Sequence, residues 1–141
     1  MIVLDTDHLS ELQQPNSARG KRLFERLRQV KSHEVVTTIV TFEEQMRGWL
    51  AVINKQSAGI NQLASYENLV ELLRFFLDWD VLPFDRASAE QFHRLRSKKI
   101  RINTMDLKIA SIALAHSATL LSANLRDFRQ VPDLSVEDWL S

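Results

Sequence analysis

The chain contains no cysteine. Disulfides, thiolate zinc sites and cysteine nucleophiles are therefore excluded, and a reducing compartment is compatible with the composition. No apolar run approaches the roughly 20 residues that a membrane-spanning helix needs, so no membrane partner is expected. The N-terminus lacks a basic stretch followed by an apolar one. Strand-like sequence begins directly at Ile2, so a cytoplasmic protein without a secretory signal is expected. The net charge is zero, with 18 Lys and Arg against 18 Asp and Glu. That balance argues against whole-surface attraction to nucleic acid and leaves only a local basic stripe to provide it. Repeats, low-complexity tracts and linkers are also missing. What remains is an ordinary globular composition, 45% apolar and 26% charged over 141 residues. One domain, 1–141, with a single continuous core is expected.

The hydrophobic pattern reads β-α-α-β-α-α-β-α-α-β-α-β. Strand Ile2–Leu4 leads to a short helix near His8–Gln13, which stops at Pro15. Ser17 caps a helix Arg19–Val30, whose Leu23, Phe24, Leu27 and Val30 keep helical spacing. Strand Glu34–Thr38 feeds a helix Thr41–Asn54, and Lys55–Ile60 reads as a loop. A helix Gln62–Asp78, with Asn61 as N-cap, carries Leu63, Tyr66, Leu69, Val70, Leu73, Phe76 and Leu77 on one stripe. Such a stripe is more often core than binding surface. Asp80–Pro83 is a short strand, and Asp85 caps a helix to about Lys99. Asn103 or Thr104 caps helix Asp106–His116, whose apolar residues surround it and predict burial on all sides. Strands separated by helical stretches favour a right-handed parallel α/β sandwich.

That architecture gives four distant acids a common address. Asp5 follows the first strand, Glu44 lies in the first turns of the helix after the second, Asp106 opens the buried helix, and Asp127 follows the strand-like Ala118–Ser122. In an open parallel sheet the strand ends share one rim, where ligands bind. Several carboxylates there suit a hard divalent cation, which takes oxygen ligands and keeps several waters. Each acid also has a bland reading. Asp5 and Asp106 serve as well near helix starts, and Glu44 or Asp127 as surface residues. Without metal the cluster repels itself and some pKa values rise. This reasoning reaches a metal, not a reaction.

The ordered segments Leu4-Asp5-Thr6-Asp7, Thr41 to Gly48, Asp106 to Ala110 and Ser122 to Phe128 resemble the motifs of PIN-domain ribonucleases, and more closely those of VapC-type toxins of bacterial toxin–antitoxin pairs. The resemblance extends over nearly the whole chain, to Val131-Pro132-Asp133-Leu134 and Trp139. It implies a PIN-like, Rossmann-like parallel sheet between helices, and cleavage of RNA by a water activated on magnesium or manganese. It also implies a cognate antitoxin as partner. By the same resemblance Asp5, Glu44, Asp106 and Asp127 are catalytic, with Asp5 and Asp106 on the metal. Glu44 rather than Glu43 fits, because Gly48 follows it at the family spacing. Where many relatives carry an acid, this chain has the neutral Asn124. Asn124, Ser122 and Thr6 are thus candidates to ligate or orient. Asn103 and Asp133 stand where relatives often have glycine, and both residue types tolerate left-handed backbone.

Thr6 and Asp7 are read as orienting Asp5 or, more safely, as capping the first helix, and the four histidines as structural or exposed. Met46, Trp49, Leu50 and Ile53, added to the stripe on Gln62–Asp78, exceed what one small core needs, so a homodimer and an antitoxin groove are expected there. Two basic clusters stand out. Arg19, Lys21, Arg22, Arg26, Arg28 and Lys31 read as a solvated face. Arg94, Arg96, Lys98, Lys99 and Arg101 contain no acid and lead towards Asp106, so they are assigned to RNA. Two other readings compete: an aspartate-based phosphotransfer protein, and a PIN-fold binding partner that has lost activity.

Overall fold

A computed structural model of the chain describes residues 1–14 and 16–141. The described residues run β1 (Ile2–Leu4), α1 (Thr6–Leu12), α2 (Ala18–Leu27), β2 (Val35–Thr38), α3 (Ile39–Lys55), α4 (Leu63–Leu77), β3 (Val81–Leu82), α5 (Arg86–Ser97), α6 (Thr104–Ala115), β4 (Thr119–Leu121), α7 (Leu125–Phe128) and β5 (Ser135–Glu137). This is the order expected from the hydrophobic pattern. All strands are parallel, in the order β3-β2-β1-β4-β5, so β1 lies at the centre.

Side-chain alternation along the strands divides the core into two layers. Val3, Val36 and Leu120 face one side and pack with Phe92 and Leu95 of α5 and Leu107, Ile109 and Ile112 of α6. Leu4, Val35 and Leu121 face the other, against Leu9 of α1, Leu23 and Leu27 of α2, and Leu72 and Phe76 of α4. α6 is buried nearly all round, as its composition predicts. α1 and α2 approach so closely that a β-carbon at Gly20 would overlap the Glu11 carbonyl.

Helix boundaries follow the caps. Ser17 accepts from the Gly20 amide at 2.9 Å, Asp85 from Ser88 at 3.0 Å and Asn103 from Asp106 at 2.8 Å. α3 begins at Ile39 rather than Thr41, because Thr38, the last residue of β2, already caps it by accepting from the Thr41 amide at 3.0 Å. Glu34 leaves the expected strand for a 3-10 turn, Ser32–Glu34. Asn61 does not cap α4. A second 3-10 turn, Ile60–Gln62, occupies that place, tied by the Gly59 amide donating to Gln62 Oε1 at 3.1 Å. α1 starts at Thr6 because Asp5 is its cap; the stop expected at Pro15 lies outside the described residues. Asp133 does adopt left-handed backbone, φ 65°, whereas Asn103 is extended as an N-cap.

The expectation that the α4 stripe is core largely fails. Of its residues Leu63, Tyr66, Val70, Leu73 and Leu77 are exposed; Phe76 is buried and Leu69 partly so, and they join the core beside Leu72, which lies outside the stripe. The helix is apolar on more than one side, so periodicity alone did not say which side meets the sheet. Among the described residues no helix is long and apolar enough to cross a membrane.

Candidate active site

The rim at the carboxyl ends of β1, β2 and β4 is built by hydrogen bonds that cross between elements. Asp5, directly after β1, is only 5% exposed. One of its oxygens caps α1 by accepting from the Thr6 amide at 2.8 Å, and the other accepts from the Ser122 hydroxyl at 2.8 Å. Ser122 follows β4, the neighbour of β1, and the Asp5 amide donates to the Leu121 carbonyl at 3.0 Å. Adjacent strands thus bring the pair together, Asp5 directly after β1 and Ser122 directly after β4.

Thr6 turns its hydroxyl to Glu44 Oε1 at 2.6 Å, tying α3 to α1. Thr6 therefore orients Glu44, and the cap expected of Thr6 or Asp7 is made by Asp5. Glu43 is engaged elsewhere, with Arg47 at 2.6 Å. Asp106 is the third residue of α6 rather than its first. Its amide donates to Asn103, and its Oδ2 accepts from Asn103 Nδ2 at 2.9 Å. This reciprocal bonding resembles a capping box. The Asn124 side-chain Nδ2 donates to Asp127 Oδ2 at 3.0 Å and, less closely, to Asp106 Oδ2 at 3.4 Å. Asn124 and Asp127 are thus not alternatives, since one holds the other towards Asp106.

Electrostatics set this rim apart. Burial, reinforced by the charge of Asp7 and to a lesser degree Asp106, pushes Asp5 up to about 7. Asp106 is also raised, by burial first and then by Glu44, with Asp127 adding to it against the hydrogen bonds from Asn103 and Asn124. Among the described residues, no Lys, Arg or His makes an ion pair with Asp5, Glu44, Asp106 or Asp127. Removing the charged oxygens from water without a cation partner is costly. The donor set is oxygen only, which suits magnesium or manganese. Among the described residues no three Asp, Glu or His side chains stand in ligating geometry together. Magnesium is usually held by one or two carboxylates with waters filling the rest, so the set fits such an ion without a closed cage.

Two residues have roles the sequence did not disclose. Asp7 Oδ2 accepts from the Ala123 amide at 2.9 Å and lies 3.2 Å from Ser122 Oγ. Burial would raise its pKa, but the hydrogen bonds from His8 and Ala123 outweigh burial and hold the carboxyl below its usual range. His8 is fully buried, with Nδ1 2.6 Å from Asp7 Oδ1 and Nε2 accepting from the Trp139 amide at 3.0 Å. A backbone N–H bonded to Nε2 assigns the proton to Nδ1. No sequence signal marks a backbone amide 131 positions away as a partner.

The basic run divides. Lys98, Lys99 and Arg101 are exposed on the corner between α5 and α6, next to Asn103, and Lys99 holds left-handed backbone at φ 57°. Arg96 is exposed one turn earlier, its guanidinium 5.6 Å from the Phe92 ring centroid. Arg94 leaves the group: it donates to Gln91 at 2.7 and 3.0 Å and lines a cleft with Leu114, Ser117 and Asp133, beside the start of β4.

The PIN domain family model matches residues 2–134. Ribonuclease VapC2 of Rickettsia felis is 29% identical over 93 residues, 62% of this chain and 69% of that protein. Among solved structures, VapBC-1 of nontypeable Haemophilus influenzae is similar with a TM-score of 0.76 and 24% identity, covering 100% of both chains. VapBC2 of Rickettsia felis, bound to a DNA fragment from their promoter, gives 0.75 and 23% identity over 99% of each. FitAcB of Neisseria gonorrhoeae gives 0.71 and 26% identity over 99% of this chain and 98% of that one.

Proposed function

The chain belongs to the PIN-domain family, and from that premise we propose that it is a magnesium- or manganese-dependent endoribonuclease, the toxin of a toxin–antitoxin pair. The observation that carries the reading is a rim whose buried Asp5 and Asp106 have no cation partner among the described residues, with an exposed basic turn leading into Asn103, which bonds Asp106. Asp5 and Asp106 would hold the ion. When bound, it supplies a water acidic enough to attack at neutral pH and a positive charge for the phosphate. The protein's own groups do the positioning. Ser122 and the Thr6 amide fix both oxygens of Asp5, Asn103 and Asn124 hold Asp106 Oδ2, and Thr6 turns Glu44 inward. Lys98, Lys99 and Arg101, with Arg96 behind them, meet incoming phosphates. Phosphotransfer through Asp5 fits less well, because such a site also needs a Lys, and among the described residues no Lys pairs with Asp5.

The antitoxin reading is supported by the likeness to toxin–antitoxin structures and by a cleft of about 630 Å³ whose apolar Leu12, Phe24, Leu27, Val35 and Trp79 are joined by Arg28, His33, Asp78 and Asp80. The exposed α4 stripe supports a homodimer. The test is cleavage of a synthetic single-stranded RNA by the purified chain with Mg2+, with Mn2+ and with EDTA. Cleavage is expected only with metal. Cutting that persists in EDTA eliminates the proposal.

A further inference from the structure

A path of hydrogen bonds leads from the C-terminal segment to the rim; His8 and Ser122 on it are buried, whereas Asp7 is partly exposed and Ala123 is exposed. The Trp139 amide donates to His8 Nε2, and His8 Nδ1–H donates to Asp7 Oδ1. Asp7 Oδ2 then accepts from the Ala123 amide and lies beside Ser122, which gives its one proton to Asp5 at the shorter distance, 2.8 against 3.2 Å. Ser122 Oγ in turn accepts from the Asn124 amide at 3.0 Å. Residues 122–124 are therefore clamped to the start of α1 through Asp7. Two contacts of the rim depend on that loop: Ser122 to Asp5, and Asn124 to Asp106 and Asp127.

We infer that Asp7 and His8 are positioning residues for the metal site, acting through the bond between His8 Nδ1 and Asp7, while the Trp139 amide on Nε2 fixes the ring tautomer. This rests on the metal reading above. His8 does not touch the rim. It acts by holding Asp7 in the one orientation that receives Ala123 and leaves the Ser122 proton to Asp5. Outer contacts of this kind typically change metal affinity by about 10–100-fold. The two ring nitrogens have separate jobs, so they are separable by substitution. Asn places an amide N–H where Nδ1 stands, and keeps the bond to Asp7 while losing Trp139. Gln reaches the place of Nε2, and keeps an acceptor for Trp139 while losing Asp7.

The experiment measures Mn2+ affinity by calorimetry for the parent, His8→Asn and His8→Gln, with thermal unfolding of each metal-free chain. The expected result is His8→Asn within about threefold of the parent and His8→Gln weaker by about tenfold or more, whichever of the two unfolds at the lower temperature. Equal affinities in both variants, whether unchanged or reduced together, overturn the inference and leave His8 a purely structural residue. A parent that binds no Mn2+ overturns the metal reading itself, and this inference with it. If His8→Gln does not fold, hydrogen exchange of the Ala123 amide, the one held by Asp7, decides in the parent. Coupling is reciprocal, so saturating Mg2+ must slow that exchange by a factor comparable to the expected loss of affinity. Unchanged exchange overturns the inference.

Discussion

Two regions of this molecule reverse the usual distribution of polar and apolar groups. At the rim, Asp5 is 5% exposed and Asp106 8%; on the outer face of α4, Leu77 is 74% exposed and Leu63 57%. Isolated exposure of a leucine needs no explanation, whereas burial of a charge is accounted for only where a partner compensates it. Here each is concentrated, and neither is compensated within the chain. The carboxylates lack cation partners among the described residues, and the leucines lack a covering element. The difference between the regions lies in what each excludes. The rim is closed by its own hydrogen bonds, and on the metal reading proposed above it would take something small and cationic. The α4 face is open, follows a three- and four-residue spacing, and fits another protein surface.

The largest effect should come from removing charge at the rim. Asp106→Asn should lower metal-dependent RNA cleavage on the order of 100-fold or more, the scale of losing a preorganised electrostatic contact, while its circular dichroism stays that of the parent. Asp5→Asn should do the same and also stabilise the metal-free chain, because it removes a buried charge and the repulsion from Asp7. A variant that cleaves at the parent rate would remove the rim from the comparison altogether.

The same repulsion fixes the sign of a pH effect. Asp5 titrates near 7 in the folded chain against 3.8 in the unfolded one. A raised folded pKa means that the stabilisation is fully present below about 4 and is lost as pH rises through about 7. Asp106 is raised as well and acts in the same direction, whereas Asp7 is lowered and titrates below this window. Metal-free protein should therefore gain stability when acidified from about pH 8 to about pH 5, on the order of 3 kcal/mol from Asp5. Urea unfolding at the two pH values measures it. Saturating Mg2+ at the higher pH should recover most of the difference, and Asp5→Asn should flatten the profile.

On the other side of the comparison, Leu73→Glu tests whether the α4 face is covered in solution. Burying one such side chain contributes about 1.5–3 kcal/mol, so a dimer through this face should weaken about 10–100-fold. The monomer should remain folded, because Leu73 makes no core contact. Sedimentation equilibrium across concentration gives the answer. A parent that is monomeric at high concentration, or a variant that dimerises equally well, would leave the face without this partner.

How far the sequence could be read differs between the same two regions. The rim was legible because its acids sit at strand ends and helix starts, positions that local pattern marks and a parallel sheet brings together. Caps at Ser17, Asp85 and Asn103 were legible for the same reason, being local. The direction of α4 was not, since a helix apolar on several sides gives no single stripe, and only packing of Leu72 and Phe76 on Leu4 and Leu121 chose the inner face. The Asp7–His8–Trp139 path was also hidden, because its far end is a backbone amide that every residue except proline possesses. Arg94 looked like its basic neighbours in sequence but turns to Gln91, a choice made by helix phase.

The smallest predicted effect concerns the basic corner, which sharpens the comparison by adding charge that is exposed and ordinary. Lys98 and Lys99 stand in solvent on the corner between α5 and α6, whereas Asp5 and Asp106 are buried. Exposed charges beyond about 8–10 Å are screened at physiological salt, so replacing both with Ala should leave Mn2+ affinity nearly unchanged. RNA affinity is another matter. Each phosphate contact on a single strand adds roughly −0.7 to the slope of log affinity against log salt, and the double variant should flatten that slope by about one unit. The measurement uses Asp106→Asn as an inert background, so that the RNA survives the titration. An unaltered slope with unaltered affinity would reduce the corner to a solvated helix end. A flattened slope with intact Mn2+ binding would show that the rim and the corner hold their ligands by separate means: one by burial of charge, the other by release of counterions.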